Sequence, residues 1–201
     1  MMADTKDRNE PSHIGTPVRG KHSPQSDGKL EMVITYLEMR RCPNRLIRHL
    51  PRGLAVMHAR SPTVSFYRYL YNTVGAPWLW HERRRLDDNT LRAIIHDARV
   101  EVYVLYVQGV PAGYIELDRR IADEVEVAYF GLIPEFIGRG LGRYLLDHGL
   151  HEAWREQPRR VWVHSCNHDH PKAIAVYQRA GFVPYKQETV RIDDPRLDGT
   201  I

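Results

Sequence analysis

Tyr129-Phe130-Gly131-Leu132-Ile133-Pro134-Glu135-Phe136-Ile137-Gly138-Arg139-Gly140-Leu141-Gly142-Arg143-Tyr144-Leu145-Leu146 sets the architecture of the chain around it. It reads as a strand, a turn, a glycine-rich loop and the first turns of a helix. The strand continues back through Val125-Glu126-Val127-Ala128, whose valines favour a pleated backbone. Pro134 ends it, because proline has no N–H to give a ladder. Gly138, Gly140 and Gly142 then alternate with Arg139, Leu141 and Arg143. Glycine allows positive φ and close approach of a ligand to the backbone. The following helix aims its unpaired N–H groups and positive dipole end at the loop, a combination that suits phosphate or pyrophosphate. Taken alone, the glycines fit equally well a second role, tight packing of helix on strand. Two familiar phosphate loops are excluded: no Gly-Lys-Ser/Thr follows, and the Gly-x-Gly-x-x-Gly spacing of a dinucleotide fold is missing.

A second segment adds specificity: Asp169-His170-Pro171-Lys172-Ala173-Ile174-Ala175-Val176-Tyr177-Gln178-Arg179-Ala180-Gly181-Phe182. The glycine loop resembles the acetyl-CoA signature of the GNAT superfamily of N-acyltransferases, Arg/Gln-x-x-Gly-x-Gly/Ala, with Gly140-Leu141-Gly142 as its second half. Ile137 stands where the family has Arg or Gln. The second segment resembles the family's Asn-x-x-Ala-x-x-x-Tyr-x-x-x-Gly-Phe, matched at Ala173, Tyr177, Gly181 and Phe182. His170 occupies the Asn position, and the nearest asparagine is Asn167. The resemblance spans about residues 30–192 and implies an α+β GNAT fold, with a mixed, mostly antiparallel sheet flanked by helices.

Outward from these motifs, the periodicities supply the other elements. Residues 30–39 read as the first strand, and 40–50 as a short helix or irregular connection. Residues 54–59 fit either a strand or part of a helix. Ser61-Pro62-Thr63 opens a helix, with Ser61 as N-cap, Pro62 at its first position and Gly75 as its stop. Residues 88–96 are a helix capped by Asp87 or Asp88. Residues 100–107 and 110–118 are strands joined by a Gln108-Gly109 hairpin turn, and 119–124 is a polar connection to the central strand. A helix over about 140–156 leads to a parallel strand at 160–166. A short helix at 171–179, closed by Gly181, precedes a last strand at 182–192. Between the first helices lies Pro77-Trp78-Leu79-Trp80-His81-Glu82, followed by Arg83-Arg84-Arg85. The rings read as core and the arginines as a solvated face, or the segment rims an acceptor pocket.

Composition restricts the function. The chain has 201 residues, 42% hydrophobic and 27% charged, enough for one domain with a core. A net charge of +4 without a basic–aromatic run argues against nucleic acid. No stretch approaches the roughly 20 apolar residues of a membrane span, and no secretory h-region opens the chain. Residues 1–29 are polar and proline-bearing, which predicts a disordered tail before a domain at 30–192. A polar tail is expected at 193–201. Two cysteines, Cys42 and Cys166, give no disulfide framework and suit a reducing cytoplasm. His164, His168 and His170 lack the accompanying ligands of a metal site.

The resemblance implies an enzyme, an N-acetyltransferase with acetyl-CoA as co-substrate and no metal, in which a primary amine attacks the thioester directly. It places the pyrophosphate on Gly138, Arg139, Gly140, Leu141, Gly142 and Arg143, and the pantetheine arm on the backbone of Phe130 and Leu132. Asn167 is the candidate for the asparagine of the second signature. Tyr177 falls on the general acid, a phenol protonated at neutral pH. Glu126 falls on the general base, with Glu124, Glu116 and His164 as further candidates. Tyr71 and Trp80 are candidates for the acceptor pocket. Small-molecule amine, peptide N-terminus and lysine side chain stay open as acceptors, as do a longer acyl-CoA, a catalytically silent CoA-binding module, and the oligomeric state, a homodimer included.

Overall fold

The computed structural model describes residues 27–43 and 51–201. The expectations for residues 1–26 and 44–50 lie outside the described residues. Strands are β1 (Lys29–Met39), β2 (Leu54–His58), β3 (Val100–Val107), β4 (Val110–Asp118), β5 (Glu124–Leu132), β6 (Arg160–Cys166) and β7 (Val183–Asp193). Helices are α1 (Val64–Gly75), α2 (Asp88–Ile95), α3 (Leu141–Trp154) and α4 (Ala173–Ala180), with single 3₁₀ turns at Ala76–Trp78, Glu82–Arg84 and Pro134–Phe136. The strands form one sheet in the order β2-β3-β4-β5-β6-β1-β7. Every neighbouring pair is antiparallel except β5 and β6. The segment at 54–59, which periodicity leaves undecided, is an edge strand. β1 lies inside the sheet, between β6 and β7.

Strand alternation divides the core between the two faces. Val102 and Val104 of β3, with Tyr114 of β4, meet Tyr67, Leu70, Tyr71 and Val74 of α1 and Leu91 and Ile95 of α2. Tyr103 and Leu105, on the opposite face of β3, join Ile115, Leu117, Val161 and Val163 beneath Leu145, Leu146 and Leu150 of α3 and Tyr177 of α4. Gly149 lets α3 lie close on β4, since a Cβ there would stand 2.3 Å from the Ile115 Cδ1.

Three local expectations need correction. Thr63, not Ser61, is the N-cap of α1: its hydroxyl accepts from the Phe66 N–H at 3.2 Å, while Ser61 sits outside the helix at φ 55°. Gly75 does not stop the helix in a left-handed conformation. Its φ is −87°, and the left-handed residue comes later, at Leu79 (φ 58°). Gly75 is glycine because the Trp80 side chain covers it; a Cβ would lie 2.5 Å from the Trp80 Cβ. Arg83 is not on a solvated face. It is buried, and its guanidinium meets the fully buried Glu116 at 2.7 Å.

The residues after β7 fold back. The Asp194 N–H donates to the Gly28 carbonyl, its buried carboxylate pairs with Arg196, and Asp198 pairs with Arg85 at 2.6 Å.

β5 carries one residue more than β4 can match. Glu116 faces Tyr129 and Leu117 faces Val127, so Ala128 is left without an opposite residue. This is a β-bulge, which bends and twists the strand that carries it. Next to it, Gly113 of β4 lies so close to β5 that an added Cβ would stand 2.4 Å from the Gly131 carbonyl oxygen and 2.9 Å from the Leu132 Cα. These are backbone atoms that cannot rotate away. Gly113→Ala should therefore destabilise the fold by about 1–3 kcal/mol or more, read as a lower midpoint in thermal unfolding.

Candidate active site

The parallel pairing of β5 with β6 covers Glu124–Arg160, Val125–Val161 and Glu126–Trp162, and then ends. Beyond the bulge the two strands diverge. The space between them is a cleft of about 760 Å³, walled by β5 from Val127 to Leu132, the glycine loop, α4 and the 78–82 segment. From Val127 onward, β5 meets this cleft without a strand partner on that side.

At one end, Gly138 (φ 85°) and Gly140 (φ 75°) hold conformations that glycine adopts without penalty, and a Cβ on either would meet nothing within 4 Å. Gly140 caps α3 without a side-chain hydrogen bond, leaving the amides of the first turn open. Gly142 lies in that turn, its Cβ position 3.7 Å from Leu132 and 3.8 Å from Phe130. Leu141 and Arg143 also line the cleft, and Arg143 pairs with Asp147 at 3.6 Å. Arg139 is not part of the lining. Its guanidinium stacks on the Phe136 ring, 5.1 Å from the centroid.

On the α4 wall, Tyr177 is 6% exposed and lies between Phe130 and Phe182, with ring centroids 6.0 and 5.9 Å away. Burial pushes its hydroxyl well above the usual tyrosine range, so it stays protonated at neutral pH. Cys166 lines the same cleft, and burial pushes its thiol up to about 12.

The other end is aromatic and acidic. Tyr71, Trp80 and Tyr129 pack with centroids 5.1–5.5 Å apart. The Tyr129 hydroxyl donates to Glu82 at 2.6 Å, and the Trp80 Nε1 donates to Asp169 at 3.3 Å. Asp169 also accepts from the Ser165 hydroxyl and the Cys166 N–H, both at 2.9 Å. It thereby joins the end of β6 to the 78–82 segment. His164 reaches the cleft from β6, and its Nδ1 lies 3.3 Å from Glu126.

The cleft thus brings together Phe130, Leu132, Gly138, Gly140, Leu141, Gly142, Arg143, Tyr177, Tyr71 and Trp80. It does not bring in Asn167, whose side chain accepts from the Val33 N–H at 2.9 Å and ties β6 to β1. Glu126 lines a separate depression with Asp118, Arg120, Ile121 and Trp162, and meets the cleft through His164. Glu124 is held by Arg159 and Arg160 at 2.9 and 2.7 Å, and the Arg160 hydrogen bond keeps its carboxyl below the usual range. Glu116 is committed to Arg83 and the Tyr67 hydroxyl. The three clustered histidines have three different partners: Glu126 for His164, the Glu31 carbonyl for His168, and the Lys172 N–H for His170. Sequence reasoning missed Asp169 and Glu82. An Asp three residues beyond a strand end and two before a proline is the pattern of a side chain turning back on its own backbone, which would have marked Asp169.

A model of the acetyltransferase (GNAT) family matches residues 55–182. The chain belongs to this family, whose members are acyltransferases. The match begins in β2 and stops before β7, so β1 and β7, which pair with each other, lie outside it. Solved structures of similar fold include a GCN5-related N-acetyltransferase from Sphaerobacter thermophilus (TM-score 0.62, 16% identity, 83% of this chain and 53% of that one). Another is from Kribbella flavida (TM-score 0.55, 16% identity, 84% and 60%). The Escherichia coli ribosomal-protein-S18-alanine N-acetyltransferase is also similar (TM-score 0.55, 16% identity, 69% and 90%). The chain therefore spans about half to three-fifths of the first two. No curated protein matches the sequence.

The thiols provide a test of this geometry. A thiol pushed up to about 12 holds little thiolate at pH 8, and the thiolate is the reacting form. Iodoacetamide at pH 8 should label the exposed Cys42 first and leave Cys166 largely unmodified until the protein is denatured, as read by peptide mass spectrometry.

Proposed function

We propose that the chain is an N-acetyltransferase, moving an acetyl group from acetyl-CoA to a primary amine by direct attack in a ternary complex. The observation that carries this reading is the single cleft running from a glycine loop at a helix N-terminus, along an unpaired strand edge, to an aromatic, acidic pocket. Gly138, Gly140 and Gly142 leave room for a pyrophosphate against the first amides of α3, with Arg143 adding positive charge. The free edge of β5 at Phe130 and Leu132 offers backbone donors and acceptors to an amide-bearing arm. Acetyl-CoA would supply the thioester and its leaving thiolate. Tyr177 keeps its proton at neutral pH and can give it to that sulfur. Glu82 and the rings of Tyr71, Trp80 and Tyr129 suit an amine that arrives as ammonium, through charge and cation–π attraction. Glu126 serves the base step from behind His164. Among the described residues, no helix is long and apolar enough to cross a membrane. The protein acts as a cytoplasmic enzyme on a small-molecule or peptide amine.

Isothermal titration with acetyl-CoA tests the reading, run beside Gly140→Asp. A Cβ there meets nothing within 4 Å, and aspartate is among the few non-glycine residues found at positive φ, so the fold should survive with a modest fall in melting temperature. Affinity should drop by about tenfold or more, roughly 1.4 kcal/mol, because the added carboxylate repels the phosphates. Failure of the wild-type chain to bind would overturn the proposal.

Tyr177→Phe should separate binding from chemistry. The acetyl-CoA affinity should stay within about twofold, while kcat for amine-dependent thiol release falls about 10²-fold or more.

A further inference from the structure

Glu126 does not line the cleft; it lines a separate depression, and its contact toward the cleft is with His164. Glu116 and Glu124 are each held by arginine. The Asp169 carboxylate accepts from three donors. Of the groups weighed as a base, His164 is the one that lines the cleft. It lies two residues beyond Trp162, on the same face of β6, where that strand has just parted from β5. Its ring packs beside Tyr36 and Trp162, with centroids 5.8 and 6.3 Å away, and its Nδ1 faces Glu126 at 3.3 Å. No hydrogen bond from a described residue occupies its Nε2.

We infer that His164 is the catalytic base of the amine half of the site, taking the proton through Nε2, and that Glu126 is the positioning residue that orients the ring through Nδ1. The inference rests on the acetyltransferase reading above. A carboxylate on Nδ1 fixes the tautomer with Nε2 free to accept, and stabilises the imidazolium once formed. In the proton balance, the ammonium gives one proton to Nε2 of His164, which later passes it to solvent. The nitrogen freed in this way forms its bond to the thioester carbon as the carbon–sulfur bond breaks. The second nitrogen proton leaves as the amide forms and replaces the one that Tyr177 gives to the sulfur.

The groups around the ring support this assignment. The Glu126 hydrogen bond is the largest influence and raises the imidazole above the usual histidine value. Burial opposes it, and Glu82 on the 82–84 turn and Asp169 beyond β6 add to the rise. A base raised in this way is protonated at acid pH, so activity should climb with pH through a value above about 6.5. Removing the Glu126 charge lowers the imidazole pKa and moves that limb to lower pH.

The test uses the full chain, acetyl-CoA and a panel of primary amines, followed as amine-dependent thiol release from pH 5.5 to 9. His164→Gln should lower the rate by about 10²-fold or more and abolish the acid limb. Glu126→Gln should lower it less and shift the limb to lower pH. Acetyl-CoA binding should be unchanged in both variants by titration calorimetry. Histidine NMR titration, which needs no acceptor, should show the His164 resonance titrating above about 6.5 in the wild type and lower in Glu126→Gln. Variants that bind acetyl-CoA and keep the wild-type rate and pH profile, or a His164 resonance indifferent to Glu126→Gln, would overturn the inference while leaving the acetyltransferase reading intact. Loss of acetyl-CoA binding by the wild-type chain would strike that reading instead.

Discussion

Ala128 is one residue too many for the strand it lies beside, and the shape of the site follows from that mismatch. With Glu116 against Tyr129 and Leu117 against Val127, β5 must bend where Ala128 has no opposite residue. On its other side the ladder to β6 closes at Glu126 and Trp162. Past that point β5 presents backbone without a strand partner toward the cleft. The crowding of Gly113 against Gly131 shows how little freedom the neighbouring strand has to absorb the bend. The opening is therefore built into the sheet, between a fully paired half on one side and the β6-β1-β7 half on the other.

The aromatic wall of the cleft is held by desolvated charge. Arg83 reaches Glu116 in the interior of β4, with the Tyr67 hydroxyl on the second carboxylate oxygen and the Tyr129 ring 5.2 Å beneath the guanidinium. Burial pushes the Glu116 carboxyl up, and Arg83 and Tyr67 pull it back. Removing one partner of such a pair strands the other, at a cost of about 3–5 kcal/mol. The pair ties the turn carrying Glu82 to the sheet, and Asp169 ties Trp80 to the end of β6. Rings that face the cleft are thus positioned by polar bonds made behind them.

The surroundings of the titratable groups in the cleft set their protonation in opposite directions. Burial pushes up the Tyr177 hydroxyl and the Cys166 thiol, the carboxylate of Asp169 adding to the rise in both, so both keep their protons. His164, beside a carboxylate, is biased toward its charged form. One side of the cleft therefore favours the protonated neutral form of its groups and the other the charged imidazolium, both consequences of what each side chain packs against.

Local sequence determined the elements and the glycine loop. Valine-rich alternation, Pro134 and the three glycines need only their neighbours in the chain to act, because strand propensity, a missing N–H and positive φ are local properties. The two family signatures were legible for the same reason, and the second of them carries Tyr177, which lines the cleft. Residues whose role depends on a distant partner were not legible. Arg83 in a basic run looks solvated until Glu116, 33 residues away, is seen to receive it. Glu126 looks like a base facing the cleft until it is seen to line a separate depression, in contact with His164 of the neighbouring strand. Asn167, Gly75 and the order that inserts β1 between β6 and β7 were settled by which strands and rings come to lie side by side. That is a matter of tertiary packing, which spacing along the chain does not record.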